Sequence, residues 1–160
     1  MTAPLLGMAP SASTVSRLAH GLEGECAAWR QRSLQAHYRV AYADGVCFPI
    51  RHDDQTDATP LLVVLGVDQE GHKEVLSVTV AGTESGPAWQ EVVDDLKARG
   101  VQPIDLVITD GDEAAIGVWE RAFPSARRQR CLTHKIRSVL AKLPKRVKRE
   151  VAAALQDIFA

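Results

Sequence analysis

A carboxylate and a glycine follow directly on the short apolar run 106–109, and their placement suggests chemistry. The run is too short for a helix and is typical of a buried parallel strand that ends at Asp110. Gly111 lets the chain turn sharply into the next helix. Ligands of open α/β sheets bind at the carboxyl ends of strands, so Asp110 is predicted to be a functional carboxylate. The alternatives make Asp110 a helix N-cap or assign the chemistry to Asp112.

The three cysteines argue against two kinds of site. Cys26, Cys47 and Cys131 are odd in number, widely spaced and never in a Cys-x-x-Cys pair. This pattern speaks against a disulfide framework and against a four-cysteine zinc site. The chain also has no apolar run of about eighteen residues and no amino-terminal leader pattern. We therefore expect a cytoplasmic, nucleoid-associated protein with no membrane partner.

Positive charge is concentrated in one part of the chain. Of the 19 basic residues, 11 lie between Arg121 and Arg149, and no Asp or Glu lies among them, although the formal net charge is -1. A block of one sign indicates a polyanion partner such as DNA, and the alternative is a solvated helix face. The predicted DNA-binding residues are Arg127, Arg128, Arg130, Lys135, Arg137, Lys145, Arg146, Lys148 and Arg149.

The first half of the chain must position these groups through one helix and three strands. A helix is predicted from Ser11 or Ser13 towards Ser33, as one piece or two, with Val15, Leu18, Ala19 and Leu22 as a buried stripe. Alternation then predicts a strand from about His37 to Ile50, with Asp44 inside it or at its end. Residues 51–60, including Asp53, Asp54 and Asp57, have the composition of a loop. Strands 61–67 and 74–81 follow, joined by a hairpin at 68–71.

The second half alternates helices and strands. Helices are predicted from Ser85 to Gly100, over 113–123, over 133–142 and from Pro144 onwards, and strands end at Asp110 and at Cys131. The order β-β-β-α-β-α-β-α-α is that of a ribonuclease-H-like α/β fold, in which the first and fourth strands are neighbours. Asp44 would then lie beside Asp110. Two carboxylates suit Mg²⁺ or Mn²⁺, and two such ions about 3.5–4 Å apart can cleave phosphodiesters.

Several segments together resemble the Mutator-type transposases of bacterial insertion sequences. They cover roughly residues 11–160 in order, and no one of them is specific alone. The matching segments are Asp44-Gly45, Leu65 to Asp68, Gly71 to Leu76, Gly82 to Ser85 with Trp89, Leu96 to Gly100, Val107 to Gly111, and Phe123-Pro124 through Gln129 to Arg137.

The resemblance implies a DDE-type enzyme that cuts transposon ends and joins them to target DNA. It makes Asp44 and Asp110 the first two catalytic, metal-binding carboxylates, served by two Mg²⁺ or Mn²⁺ ions in the complete enzyme. The Cys-x-x-His signature of the family falls on Cys131 and His134, close to the catalytic site and without zinc. The alternative for this pair is a buried cysteine with a hydrogen-bonded histidine.

The third carboxylate of the family, a glutamate after a helical insertion, has no match in this sequence, and Glu150 lies too early in a basic context. We therefore expect a fold incomplete at its carboxyl end and a truncated, inactive copy. Residues 1–35 would be a DNA-binding remnant, 36–142 the partial core and 143–160 the start of the insertion. Partners would be DNA, a second copy or full-length transposase. The alternatives are a non-catalytic regulatory derivative and an unrelated phosphate-handling α/β enzyme using Asp110-Gly111-Asp112.

Overall fold

A computed structural model describes residues 11–52 and 55–159 of the chain. Within these ranges helices and strands follow the predicted order after a first helix. Their bounds are α1 (Ala12–Gln31), β1 (Tyr38–His52), β2 (Gln55–Val67), β3 (Lys73–Val80), α2 (Gly86–Ala98), β4 (Ile104–Thr109), α3 (Glu113–Ala122), β5 (Arg127–Arg130), α4 (Leu132–Ala141) and α5 (Lys145–Phe159).

The chain divides after Ser33 into two units, and α1 belongs to the first. It is one continuous helix, whose N-cap Ser11 accepts a hydrogen bond from the Thr14 N–H at 3.2 Å. The predicted buried stripe is wrong, since Val15, Leu18 and Leu22 are each more than half exposed. The apolar stripe of an amphipathic helix is buried only where another surface covers it. The helical spacing of apolar residues does not show whether such a surface is present.

The second unit contains a mixed sheet that confirms the predicted ribonuclease-H-like class. In the described part of the chain the strand order is β3-β2-β1-β4-β5. The first three strands are antiparallel, and β4 runs parallel to both β1 and β5. β1 is therefore central and adjacent to β4, as the element order predicted. The predicted hairpin between β2 and β3 is present, with Gly71 at its turn.

The first two strands extend beyond the rest of the sheet as a two-stranded arm. Their pairing continues from Asp44 opposite Val63 out to His52 opposite Gln55, whereas β4 pairs with β1 only as far as Ala43. The predicted loop over 51–60 is thus wrong, and Asp57 lies in β2. Asp53 and Asp54 lie outside the described residues. Residues 56–58 of β2 are exposed, so this stretch has no buried face and shows no apolar alternation.

Two helices cover one face of the sheet and close the core. Trp89 of α2 and Trp119 of α3 are each 1% exposed, with ring centroids 6.3 Å apart. Val92, Val93 and Leu96 give α2 the predicted apolar face. This packing fixes the amino ends of α2 and α3 near the strand ends that carry the candidate site. None of the helices in the described ranges has the length and apolar character needed to cross a bilayer.

Candidate active site

Asp44 lies inside β1 and not at its end, so the first of the two predicted placements is confirmed. β1 and β4 pair in parallel, with Ala43 opposite Thr109. Asp44 and Asp110 each follow one of these paired residues directly. The structure therefore brings the two predicted aspartates to the same level on neighbouring strands.

A tight turn after β4 orients Asp110. Its Oδ1 accepts a hydrogen bond from the Asp112 N–H at 2.9 Å, and Gly111 adopts φ 102°, a left-handed conformation that favours glycine. Asp112 is the N-cap of α3, because its side chain accepts from the Ala115 N–H at 3.0 Å. The capping role that was the alternative for Asp110 thus belongs to Asp112. Among the described residues no hydrogen bond uses Asp110 Oδ2, which leaves that oxygen available to a ligand.

Arg130 holds the same turn from the adjacent strand. Its Nε donates to the Asp110 carbonyl oxygen at 2.9 Å, and its guanidinium reaches Ser138 Oγ of α4 at 3.5 Å. A methyl group added to Gly111 would lie 2.6 Å from Arg130 Nε, so the guanidinium crosses directly over the glycine. Arg130, predicted to bind DNA, therefore has a local role in fixing the backbone at Asp110.

The Cys-x-x-His segment approaches the aspartates from α4. The Cys131 N–H donates to the Thr109 carbonyl at 2.6 Å, which ties the start of α4 to the end of β4. One turn later His134 places Nε2 3.9 Å from Asp44 Oδ1, with the two side chains 30% and 43% exposed. His134 Nδ1 is buried and has no hydrogen-bond partner in the described part of the chain. Asp44, Asp110, Cys131 and His134 line one small cavity of about 70 Å³.

Glu84 is a further acidic residue at this end of the sheet, and residue-by-residue reasoning on the sequence did not select it. The residue is exposed, but its carboxyl group lies against the Cα of Gly45, where any larger residue would collide with it. Partial burial of the carboxyl group, and then the charges of Asp110, Asp112 and Asp44, raise the pKa of Glu84. The signal that could have found it is the glycine beside Asp44, which leaves room for a group from another element.

The predicted DNA-binding residues occupy three consecutive elements. Arg127, Arg128 and Arg130 lie on the exposed edge strand β5, and Arg128 pairs with Glu120 at 3.2 Å. Lys135 and Arg137 are exposed on α4. Lys145, Arg146, Lys148 and Arg149 lie in the first two turns of α5, and all but Lys148 are exposed. The structure therefore places the basic block on β5 and on the helices that follow it, starting at the strand next to Asp110.

A different cluster of possible metal ligands lies at the other end of the sheet. Asp68, Glu70 and His72 place ligand atoms within 4.8 Å of one another. Asp68 Oδ1 already accepts from the Glu70 and His72 backbone N–H groups, at 2.9 and 2.8 Å. Burial acts to raise the pKa of Asp68, but these hydrogen bonds, with those from the His72 and Gln35 side chains, lower it overall. This carboxylate organises the β2–β3 turn.

The whole sequence matches the model of a family described as "Transposase, Mutator family", over residues 1–160. It is 36% identical over 157 residues to a transposase for insertion sequence element IS6120 from Mycolicibacterium smegmatis, covering 96% of this chain and 47% of that protein. It is 33% identical over 149 residues to a transposase for element IS905 from Lactococcus lactis subsp. lactis, covering 93% of this chain and 37% of that protein.

Among solved structures, the catalytic core domain of the HTLV-2 integrase, in complex with magnesium, is similar with a TM-score of 0.40 and 14% identity. That likeness covers 76% of this chain and 86% of the integrase chain. The two transposases above are longer, and this chain spans less than half the length of each.

Proposed function

We propose that this chain, which belongs to the Mutator family of transposases, forms the part of a DNA transposase core that carries two metal-binding carboxylates, Asp44 and Asp110. The observation that carries the proposal is the parallel pairing of Ala43 with Thr109, which sets the two aspartates side by side. The reaction class is metal-dependent cleavage and joining of DNA strands, and the substrates are transposon-end and target DNA.

The residues present fit a divalent cation such as Mg²⁺ or Mn²⁺. Both proposed ligands are carboxylates, the hard oxygen donors that these ions prefer, and Asp44 is open enough to solvent for water and phosphate to complete the coordination. Asp110 Oδ2 is not used by a hydrogen bond within the described residues. When bound, two such ions supply charge neutralisation at the scissile phosphate and activation of the attacking oxygen.

The other residues of the cavity act on the two aspartates. Arg130 holds the carbonyl of Asp110, and the Asp112 N–H holds one of its carboxylate oxygens, so the second oxygen keeps a fixed direction. His134 reaches Asp44 through Nε2 at 3.9 Å. It can stabilise the Asp44 carboxylate when protonated, or contact a phosphate oxygen of the DNA. The basic residues of β5, α4 and α5 would hold DNA phosphates near the aspartates.

The proposal is tested by measuring DNA binding with and without a divalent cation. Fluorescence anisotropy with labelled duplex DNA would be recorded at constant ionic strength, in EDTA and in Ca²⁺, which binds oxygen ligands as Mg²⁺ does. We expect wild-type protein to bind several-fold more tightly with Ca²⁺, because a cation held by Asp44 and Asp110 also contacts phosphate. The variants Asp44→Asn and Asp110→Asn should lose this increment and keep the binding seen in EDTA.

Asp57→Asn is the matched control, because Asp57 is an exposed aspartate on β2 within the two-stranded arm. It should retain the full increment. Absence of DNA binding at low salt, or a Ca²⁺ increment that survives in both Asp44→Asn and Asp110→Asn, would contradict the proposal.

A further inference from the structure

One side of β1 carries Asp44 and faces away from the core. Side chains alternate across a strand, so Tyr42, Asp44 and Phe48 lie on the side opposite Ala43, which belongs to the core. His134 of α4 reaches Asp44 from this side, with Nε2 3.9 Å from Oδ1. We call the side of β1 that carries residues 42, 44, 46 and 48 its open face.

Two aromatic rings are exposed on the open face, on either side of Asp44. Tyr42 precedes Asp44 by two residues and is 42% exposed, and Phe48 follows it by four residues and is 48% exposed. Tyr42 also lines the small cavity that Asp44, Asp110 and His134 line. In the part of the chain that the structure describes, neither ring pairs with another aromatic ring. Both rings are therefore available to a ligand that binds at Asp44.

Positive charge borders the open face. Val40 pairs with Leu106, and Leu106 pairs with Arg127. Directly paired residues of neighbouring strands share a face, so the exposed Arg127 lies on the same side of the sheet as the two rings. The helix α4, which approaches from this side, carries the exposed Lys135 and Arg137. Basic residues beside exposed aromatic rings are the combination with which proteins bind single-stranded nucleic acid.

The position of Asp44 between the two rings favours DNA over a protein partner. A second copy of the chain that covered both rings would also cover Asp44, and would exclude the DNA on which this aspartate is proposed to act. Inside a duplex the faces of the bases are stacked on one another, so a protein ring can stack only on a base that lies outside the duplex. The open face therefore suits an unpaired strand whose phosphates contact the neighbouring basic residues.

We propose that the open face of β1 binds unpaired bases of the DNA strand at the metal site, with Tyr42 and Phe48 as the stacking residues. This inference rests on the proposed function and adds to it a preference for DNA that is unpaired next to the position of cleavage. Every base has a face that can stack, so the preference is for single-stranded character and not for a sequence.

The experiment compares two labelled DNA molecules that bind the 160-residue chain in the presence of Ca²⁺. One is a duplex with a short unpaired tail, and the other has a tail of the same length without bases. Both carry the same phosphates, so the ratio of the two affinities, measured by anisotropy, reports contacts to the bases. We expect wild-type protein to bind the tail with bases about 10-fold more tightly, roughly the contribution of a base stacked on an aromatic ring.

Substitutions of the two rings test which side chains produce this ratio. Tyr42→Leu and Phe48→Leu each keep an apolar side chain and remove a ring, so each should lower the ratio several-fold. Tyr42→Phe keeps the ring and should keep the ratio. Phe159→Leu removes an exposed ring from the end of α5 and is the matched control. Circular dichroism checks that all variants are folded to the same extent.

The possible outcomes separate this inference from the proposed function. Equal affinities of wild-type protein for the two DNA molecules, both bound at low salt, would overturn the stacking inference and leave the proposed function standing. Failure to bind either DNA at low salt would contradict the proposed function itself. If the leucine variants keep the wild-type ratio but lower the molar mass of the chain in sedimentation without DNA, the open face binds a second copy and the inference is wrong. A ratio lowered by Tyr42→Leu alone would remove Phe48 from the stacking surface.

Discussion

At the scale of the residue, two aspartates 66 positions apart in the sequence meet because their strands are neighbours. Asp110 could be selected from its own surroundings, since an apolar run ends on it and a glycine follows. Asp44 could be paired with it only through the strand order. Glu84 was missed because a carboxylate in a polar segment carries no periodic signal, and its placement depends on the space above Gly45.

Asp68 makes a residue-scale prediction about pH. Its pKa is lowered in the folded protein, below the ordinary value of 3.8, so it contributes stability above that pH and loses the contribution as pH falls through the folded pKa. Asp68→Asn should lower the melting temperature most near pH 7, and the difference from wild type should shrink below about pH 4. Thermal unfolding followed by circular dichroism measures this difference.

Glu70→Gln is the control for that experiment. It changes only an exposed side chain and keeps the Glu70 backbone N–H, which donates a hydrogen bond to Asp68. A difference between Asp68→Asn and wild type that stays constant from pH 7 to pH 3 would show that the charge of Asp68 does not stabilise the turn.

At the scale of the element, sequence patterns located strands and helices where one face is buried. Helices α2 and α3 and the strand ending at Thr109 lie within a few residues of their predicted bounds, because all three elements pack on the core. The sequence patterns gave wrong predictions in two places, the loop over 51–60 and the buried stripe of α1. Residues 46–49 and 56–58 of the arm are exposed, and α1 exposes its apolar stripe.

The contact between α2 and α3 yields an element-scale prediction. Trp119 stacks on Phe123 with ring centroids 5.7 Å apart and packs against Trp89. Trp119→Ala should lower the free energy of unfolding by about 3–5 kcal/mol, because a large buried side chain leaves a cavity. Trp119→Phe should lower the free energy of unfolding by less than Trp119→Ala does. Trp119 Nε1 has no hydrogen-bond partner among the described residues, so this substitution removes no hydrogen bond.

Urea denaturation of both variants, followed by circular dichroism, compares the two losses. Equal losses in Trp119→Ala and Trp119→Phe would mean that the indole N–H makes a hydrogen bond that stabilises the core.

At the scale of the whole molecule, the net charge of -1 conceals a basic block that the structure places on β5, α4 and α5. The part of the block on β5 lies next to β4 and the Asp110 that follows it. The sequence alone could locate the charges along the chain, whereas their closeness to the aspartates depends on the pairing of β5 with β4.

The basic block predicts the salt dependence of DNA binding. Each phosphate contact contributes about -0.9 to the slope of the logarithm of affinity against the logarithm of salt concentration. Removing two contacts in the double variant Arg146→Gln/Arg149→Gln should make the slope shallower by about 2. Anisotropy titrations at salt concentrations between roughly 50 and 200 mM would measure this slope, because DNA binding through phosphate contacts weakens strongly over that range.

A matched double variant, Arg39→Gln/Lys73→Gln, removes the same charge from exposed residues at the opposite end of the sheet. It should leave the slope unchanged. If both double variants change the slope equally, the basic block is not the DNA-binding surface.

The most direct test of the metal site is to map where a divalent cation binds on the chain. Fe²⁺ would replace Mg²⁺, and hydroxyl radicals produced with ascorbate and hydrogen peroxide would cut the backbone next to the bound ion. We predict cuts near Asp44 and near Asp110, suppressed by excess Mg²⁺ and lost in Asp44→Asn. Cuts confined to residues 68–72, the alternative ligand cluster, would contradict the assignment of Asp44 and Asp110.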